Sequence, residues 1–345
     1  MQAQRPTFMG SVPRVFEKVY NRILTQAEAG GGVRYALFRW AVGVGRRMSK
    51  CRQADQEPGL TLRIQFRVAD RLVFSKIKAL FGGRLRFLVS GGAPLAAAIA
   101  EFFHACDMLI LEGWGMTETT AVGTINQPTA YRFGSVGRAS PGMEVAVADD
   151  GELLIRGPAV MQGYHGLSEK TADALRDGGM HTGDIGEIDA DGFVRITGRK
   201  KDLIITAGGK NIAPARFQNA LKARSSVVGQ VLMHGDRRPF CVAIVTLDPD
   251  AAMAWAAGEG IEETELAALS RHPRVLAQVQ ADVDAVNGTL PSYETVKKVH
   301  VSEQDWTVEN GFLTPSMKVR RAVVEERYGA VLSEFYAGTV RQTPS

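Results

Sequence analysis

Between residues 85 and 111 the spacing of apolar positions changes twice. Leu85–Val89 is a short apolar run, Ser90-Gly91-Gly92-Ala93-Pro94 interrupts it, Leu95 to about His104 reads as a helix, and Met108–Leu111 is apolar again. Strand, glycine turn, helix and strand in that order predict a βαβ unit of a parallel sheet. Ligands of such sheets sit beyond the carboxyl ends of the strands, so Ser90–Pro94 and Glu112–Glu118 are expected side by side.

Upstream the period is helical. Val15, Val19 and Ile23 fall about one turn apart within 11–50, and Gly30-Gly31-Gly32 breaks the pattern. Tyr35, Leu37, Phe38, Ala41 and Val42 open a second helix that also carries Arg39, Arg46, Arg47 and Lys50. Ala69–Leu80 predicts a third, ended by Gly82-Gly83.

Downstream the chain turns β-rich. Glu144–Ala148 and Glu152–Arg156 flank the turn Asp149-Asp150-Gly151, a helix is expected from about Ser168 to Arg176, and Ile185–Asp189 with Phe193–Thr197 predicts a second hairpin around Asp191-Gly192. A domain boundary is expected at Gly198–Asp202. Beyond it come a helix from Pro214, strands at Val227–Met233 and Phe240–Leu247, helices from Pro249 to about Val286, a strand at Val296–Val301 and a last helix from Val319 to about Tyr336.

Composition changes this picture little. In 345 residues, 45% hydrophobic and 23% charged, there is room for two domains with their own cores. Cys51, Cys106 and Cys241 are scattered without a CxxC pair, which argues against a disulfide framework or a zinc site and for a reducing compartment. No apolar run reaches the roughly 20 residues of a spanning helix, and the polar residues after Met1 lead to the expectation of no signal peptide. Charge adds more: residues 1–90 hold 17 Lys and Arg against 5 Asp and Glu, the remainder 24 against 32. A basic segment can attract nucleic acid, anionic lipid or a polyanionic ligand, and solvated helix faces explain it equally well.

Some chemistries are excluded directly. No GxxxxGK[ST] loop is present, since Gly208-Gly209-Lys210-Asn211 lacks both the spacing and the hydroxyl; GxSxG and HExxH are absent too. What remains is Glu112-Gly113-Trp114-Gly115-Met116-Thr117-Glu118-Thr119 at a strand end. An aromatic can stack on a purine, glycines admit close approach of a ligand, and a hydroxyl beside a carboxylate suits phosphate and Mg²⁺. Alone, a plain loop explains it better.

That run is similar to the YGxTE motif of the adenylate-forming superfamily, and four others follow in the superfamily's order. Gly151–Gly157 through Gly163-Tyr164 resembles GELxIxG…GY, and His181-Thr182-Gly183-Asp184 resembles TGD. Gly198-Arg199-Lys200-Lys201-Asp202 resembles the hinge motif, and Thr314–Arg321 the segment bearing a C-terminal catalytic lysine. Ser11–Tyr20 and Thr206–Pro214 resemble long-chain fatty acyl-CoA synthetases in particular.

The resemblance implies an α/β fold: residues 1–198 as the C-terminal part of a large adenylate-forming domain, with a βαβ parallel sheet and a β-rich subdomain, and 199–345 as a small α+β lid domain hinged near Lys201. It implies ligation of a long-chain fatty acid to CoA at the expense of ATP, through acyl-AMP. Gly91, Gly92, Ala93 and Pro94 are then expected to line an adenine pocket, with Trp114 as stacking partner and Glu112, Gly113, Gly115, Met116 and Ile196 around the nucleotide. Thr117 is expected at phosphate, Glu118 at Mg²⁺, Asp184 at the ribose hydroxyls, Arg199 at ribose or phosphate and Lys318 at the α-phosphate. Gly208, Gly209 and Lys210 are expected along the CoA path. Expected partners are fatty acid, ATP and CoA, with peripheral membrane contact through residues 1–90 and no nucleic acid, in the cytoplasm. The family's phosphate-binding loop is expected before Met1. Departures are Gly179-Met180 before His181, where relatives carry aromatics, and Gln218, where they carry glutamate. A non-catalytic remnant binding nucleotide, CoA or membrane is the second reading. An acyl-AMP ligase that bypasses CoA is a narrower rival, opposed by the lack of an insertion between His181 and Lys201.

Overall fold

The computed structural model describes residues 2–337. The chain divides into two units, Met1–Lys200 and Lys201–Ser345.

The first unit begins with strand β1 (Phe8–Ser11), helices α1 (Pro13–Ala29), α2 (Gly32–Gln53) and α3 (Leu60–Ala69), a π-helical turn over Asp70–Phe74, and α4 (Ser75–Leu80). Strand β2 (Phe87–Ser90), helix α5 (Ala97–Ala105) and strand β3 (Ile110–Trp114) follow, then β4 (Thr124–Ile125) and β5 (Arg138–Ala139). These strands make one sheet in chain order. β1, β2 and β3 run parallel, and β4 and β5 are antiparallel additions. The expected βαβ unit is therefore β2–α5–β3, and β1 extends its parallel sheet.

Three boundaries differ from the sequence expectation. β1 carries a glycine and no alternation, so its pairing with Phe87–Ser90 decides its state. β3 runs to Trp114, which places Glu112, Gly113 and Trp114 in the strand rather than in the loop after it. The helix expected over Ala69–Leu80 is instead α3, a π turn and α4. Leu60, Leu62, Ile64, Phe66 and Val68 alternate like a strand, yet they wind into α3, where Phe66 is buried against Phe74 at 5.7 Å between ring centroids.

Aromatic rings fill the space between the helices and the sheet. Phe102 and Phe103 of α5 meet Tyr20, Phe16 and Phe81 edge to face, an arrangement that aligns ring edges with ring faces. α2 buries Phe38, Ala41, Val42, Val44 and Met48, so helix packing accounts for its apolar face, and Arg39, Arg46, Arg47 and Lys50 stay exposed.

The rest of the unit is an antiparallel sheet. Strands β6 (Glu144–Val147) and β7 (Glu152–Arg156) form the first expected hairpin. Helix α6 (Ser168–Ala174) and β8 (Leu175–Arg176) lead into β9 (Gly179–Ile188), which pairs with β10 (Val194–Arg199) as the second. The sheet order is β10-β9-β7-β6, with β8 on β9. β9 begins six residues earlier than Ile185, because Met180 and His181 pair with Ile155 and Leu154 of β7. The candidate Asp184 thus lies within a strand.

The second unit opens with the hairpin β11 (Ile204–Ile205) and β12 (Asn211–Ile212), then α7 (Pro214–Arg224), β13 (Val228–His234) and β14 (Cys241–Leu247). Helices α8 (Pro249–Gly258), α9 (Leu266–Leu269) and α10 (Pro273–Asn287), strand β15 (Val296–Val301) and helices α11 (Arg321–Arg327) and α12 (Gly329–Tyr336) complete it. β14 reads as an apolar run broken only by Thr246, and all of it is buried because both sheet faces are covered. Ala243, Val245 and Leu247 face a core with Phe217, Val279 and Val283. Val242 and Ile244 face another with Trp306, Phe312 and Val324. The last helix, expected unbroken from Val319, starts at Arg321 and is interrupted at Tyr328. That hydroxyl lies 2.6 Å from Ser302 Oγ, and Gly329, a poor helix former, follows it.

Candidate active site

The parallel strands β1 and β2 end together at Ser11 and Ser90, and β3 runs two residues past them to Trp114. Ser11 pairs with Ser90, and Gly91 N–H donates to the Ser11 carbonyl at 3.2 Å. The run Ser11–Tyr20 and the loop Ser90–Pro94 are thereby joined, as the sheet topology requires of loops at one edge.

Glu112 lies at this edge, opposite Ser90, and is 6% exposed. Its Oε2 accepts Leu95 N–H at 3.2 Å, while Oε1 is buried without a partner among the described residues. Burial pushes this carboxyl up to about 7, against the pull of the hydrogen bond from Leu95 N–H. The folded protein therefore holds a proton that the unfolded chain releases near 4.5. Stability linked to Glu112 is complete below that value and is lost as pH rises through about 7. Glu112→Gln keeps an acceptor for Leu95 and removes the titration. Urea midpoints of the native chain should fall between pH 5 and 8 by the equivalent of about 3 kcal/mol, and this slope should flatten in the variant. Parallel slopes in the two proteins would refute the assignment.

Above Glu112, Trp114, Asp184 and Arg199 come together from three strands. Trp114 Nε1–H donates to Asp184 Oδ2 at 2.7 Å, and Arg199 Nε donates to Asp184 Oδ1 at 2.7 Å. Asp184 is 4% exposed, so its charge is buried but paired on both oxygens, the condition under which a buried carboxylate is tolerated. Each oxygen keeps a second lone-pair site for a further donor. The bond to Asp184 also fixes the plane of the half-buried indole. Ile196 lies in β10 opposite Gly186.

The loop after β3 tightens into a turn over Thr117–Thr119, where Thr119 Oγ1 both accepts Met116 N–H and donates to the Met116 carbonyl. Thr117 is exposed and Glu118 half-buried. Tyr164 O–H donates to Glu118 Oε1 at 2.8 Å, which raises the tyrosine's own pKa. That bond attaches the Gly163-Tyr164 motif to the Thr117-Glu118 motif.

Glu152 organises the strand that carries Asp184. Its Oε1 accepts Gly183 N–H at 2.8 Å; its Oε2 lies 3.0 Å from His181 Nδ1 and 3.1 Å from Lys200 Nζ. Burial raises a carboxyl's pKa, but the bonds from His181, Gly183 and Lys200 outweigh it, and Glu152 is held below the ordinary value. Lys200 also reaches Asp150 at 2.6 Å. Glu152 and Tyr164 were visible in the sequence only as letters of their motifs; a carboxylate and a phenol that recur beside glycines were the available signal.

The remaining candidates lie in the second unit, which starts at Lys201. Gly208, Gly209 and Lys210 occupy the loop between β11 and β12, where Thr206 Oγ1 accepts Lys210 N–H at 3.2 Å and the Lys210 ammonium stands 5.7 Å from the Tyr293 ring centroid. Lys318 is exposed at the close of a turn in which Thr314 N–H donates to the Lys318 carbonyl and Lys318 N–H to Thr314 Oγ1. No group of three or more His, Cys, Asp or Glu among the described residues could alone hold a metal.

The chain has recognisable relatives. Residues 1–165 match the profile of the AMP-binding enzyme and residues 201–340 that of the AMP-binding enzyme C-terminal domain. The long-chain-fatty-acid–CoA ligase FadD15 of Mycobacterium tuberculosis is 39% identical over 96% of this chain and 55% of its own length. The peroxisomal long chain acyl-CoA synthetase 6 of Arabidopsis thaliana is 34% identical over 100% of this chain and 50% of its own length. The chain thus spans about half the length of these relatives. Among solved structures, the adenylation domain of a carboxylate reductase from Mycobacterium chelonae superposes with a TM-score of 0.70 at 23% identity, over 96% of this chain and 47% of that one, which speaks for the fold. With both profiles matched in order and sharing one enzyme, the chain belongs to the AMP-binding enzyme family.

Proposed function

We propose that this chain supplies the nucleotide-binding and C-terminal parts of an ATP-dependent long-chain fatty acid–CoA ligase. The observation that carries the reading is the cluster of Trp114, Asp184 and Arg199: an aromatic plate, a buried carboxylate with spare acceptor sites and a guanidinium. In this reading Trp114 stacks on adenine against the Gly91–Pro94 loop, Asp184 accepts the ribose hydroxyls and Arg199 neutralises both Asp184 and nearby phosphate. A half-buried carboxylate with one oxygen held by Tyr164 and the other open to a ligand suits Mg²⁺, which typically takes one or two carboxylates and completes its shell with phosphate and water. Glu118 would hold it, and the ion would neutralise phosphate charge there.

In the first half-reaction the fatty acid carboxylate attacks the α-phosphorus and the bond to the β-phosphate breaks, releasing pyrophosphate. Lys318 and Thr117 stabilise the negative charge that builds on the phosphoryl oxygens. In the second, the CoA thiolate attacks the acyl carbon and AMP leaves, with Gly208, Gly209 and Lys210 along the approach of CoA and Lys201 as the hinge. The basic residues 1–90 favour contact with anionic lipid, from which a fatty acid can be drawn.

Fatty-acid-dependent ATP–pyrophosphate exchange tests the reading. The chain is expected to exchange label only with a long-chain fatty acid, and Asp184→Ala to abolish it. Nucleotide binding without exchange would replace the ligase with the non-catalytic alternative.

A further inference from the structure

An alternating sequence wound into a helix must expose half of its apolar residues, because side chains four apart share a face while those two apart do not. That is the situation of α3. Phe66, Ala69 and Val73 point into the core, while Leu60, Ile64, Val68 and Leu72 remain 72%, 53%, 43% and 43% exposed. They form a row four residues apart from the start of α3 into the π turn. Arg63, Arg67 and Arg71 each precede a member of the row and form a second exposed row beside it. No carboxylate among the described residues pairs with these three arginines. The one acidic residue of the stretch, Asp70, is engaged by Lys78 at 2.6 Å.

We propose that this face of α3 and the π turn is a docking surface for a membrane bearing anionic lipid, the apolar row entering the headgroup boundary and the arginines meeting phosphate. The charge chooses the occupant. A second copy packed antiparallel, about a two-fold axis that crosses the helix, would set the arginine rows against each other, which like charges oppose. A free polyanion would use the arginines and leave four exposed apolar side chains without a role. A helix lying in the lipid interface uses both rows, since its apolar side sinks about 5–10 Å while arginine heads stay with the phosphates. The proposal deepens the reading of peripheral contact through residues 1–90 and does not depend on ligase activity.

The test is co-sedimentation of the 345-residue chain with vesicles of phosphatidylcholine alone and with about one-third phosphatidylglycerol. Binding is expected only to the anionic vesicles. Arg63→Gln, Arg67→Gln and Arg71→Gln together should weaken it roughly a hundredfold, at about 1 kcal/mol for each arginine near the surface. Ile64→Ser with Val68→Ser should weaken it about tenfold, because half-exposed apolar side chains yield part of their full transfer free energy. Circular dichroism and thermal melts should match the native chain, since all five positions are exposed. Equal binding to neutral vesicles, or variants that bind as the native chain does, would overturn the proposal. So would arginine-dependent binding of a soluble RNA that the serine variant leaves unchanged, or a change of oligomeric state in the serine variant without vesicle binding by the native chain. Loss of exchange activity with vesicle binding intact would count against the ligase reading alone.

Discussion

Lys318→Ala should lower fatty-acid-dependent ATP–pyrophosphate exchange by about 10²–10³, the usual consequence of removing one donor from a developing oxyanion. The attack on the α-phosphorus concentrates charge on its oxygens, and a cation placed there stabilises the transition state more than the ground state. The two bonds that close its turn are made by the Lys318 backbone, from its N–H to Thr314 Oγ1 and to its carbonyl from Thr314 N–H, and alanine keeps both. The rest of the segment is equally settled: Leu313 and Val319 form a bridge and Phe312 is buried. Melts of the variant separate any loss of folding from loss of exchange. Thioester formation from CoA and preformed acyl-AMP should be little changed, because pyrophosphate has already left. Equal losses in both half-reactions would assign Lys318 a structural part or a binding part common to both. Lys318→Arg should recover some exchange, as the charge is kept and the geometry altered.

How much of this was legible in the sequence depends on the range of the interactions. The unit β2–α5–β3 was readable because apolar runs, a Gly-Gly-Ala-Pro turn and helical spacing all agree within a short stretch. The hairpins β6–β7 and β9–β10 were readable from Asp-Gly turns between strand-forming residues. α3 was not, because its period of two is that of a strand; burial of Phe66 against Phe74, a contact made by the fold, overrides it. The break at Tyr328 likewise depends on Ser302, far away in sequence. At the site, the order of the motifs pointed to each residue, but not to its partner. Nothing near Trp114 in sequence indicates that its indole N–H goes to Asp184, or that Glu152 would hold Gly183 and Lys200 together. Glu112 shows the limit most clearly: in the sequence it opens the nucleotide motif, and in the fold it is a buried strand residue that anchors the turn into α5.

Gly137→Ala is expected to destabilise the first unit by more than about 4 kcal/mol, within the range reserved for named, severe defects. Gly137 has φ +86°, and a Cβ there would lie 2.0 Å from the Ile125 carbonyl carbon and 2.1 Å from Asn126 N. These are backbone atoms of β4 and its exit and cannot rotate aside. The position is also a junction. Gly137 accepts Val194 N–H at 2.9 Å, Val136 N–H donates to the Val194 carbonyl at 2.8 Å, and Thr124 Oγ1 donates to the Val136 carbonyl at 2.8 Å. β4 belongs to the sheet of Trp114, and Val194 opens the strand that ends at Arg199. A methyl group that separates these segments must loosen the Trp114–Asp184–Arg199 cluster as well as the fold. Gly192→Ala isolates the conformational part, since Gly192 has φ +81° and no atom within 4 Å of a Cβ. It should lose only about 1–2 kcal/mol, the left-handed backbone penalty of an L residue. Thermal melts should then place Gly137→Ala roughly 10 °C or more below the native chain, at about 2–4 °C per kcal/mol for a unit of this size, with Gly192→Ala only a few degrees below it. Equal shifts for the two variants would mean that the close approach at Gly137 relaxes and that the junction is softer than its hydrogen bonds imply.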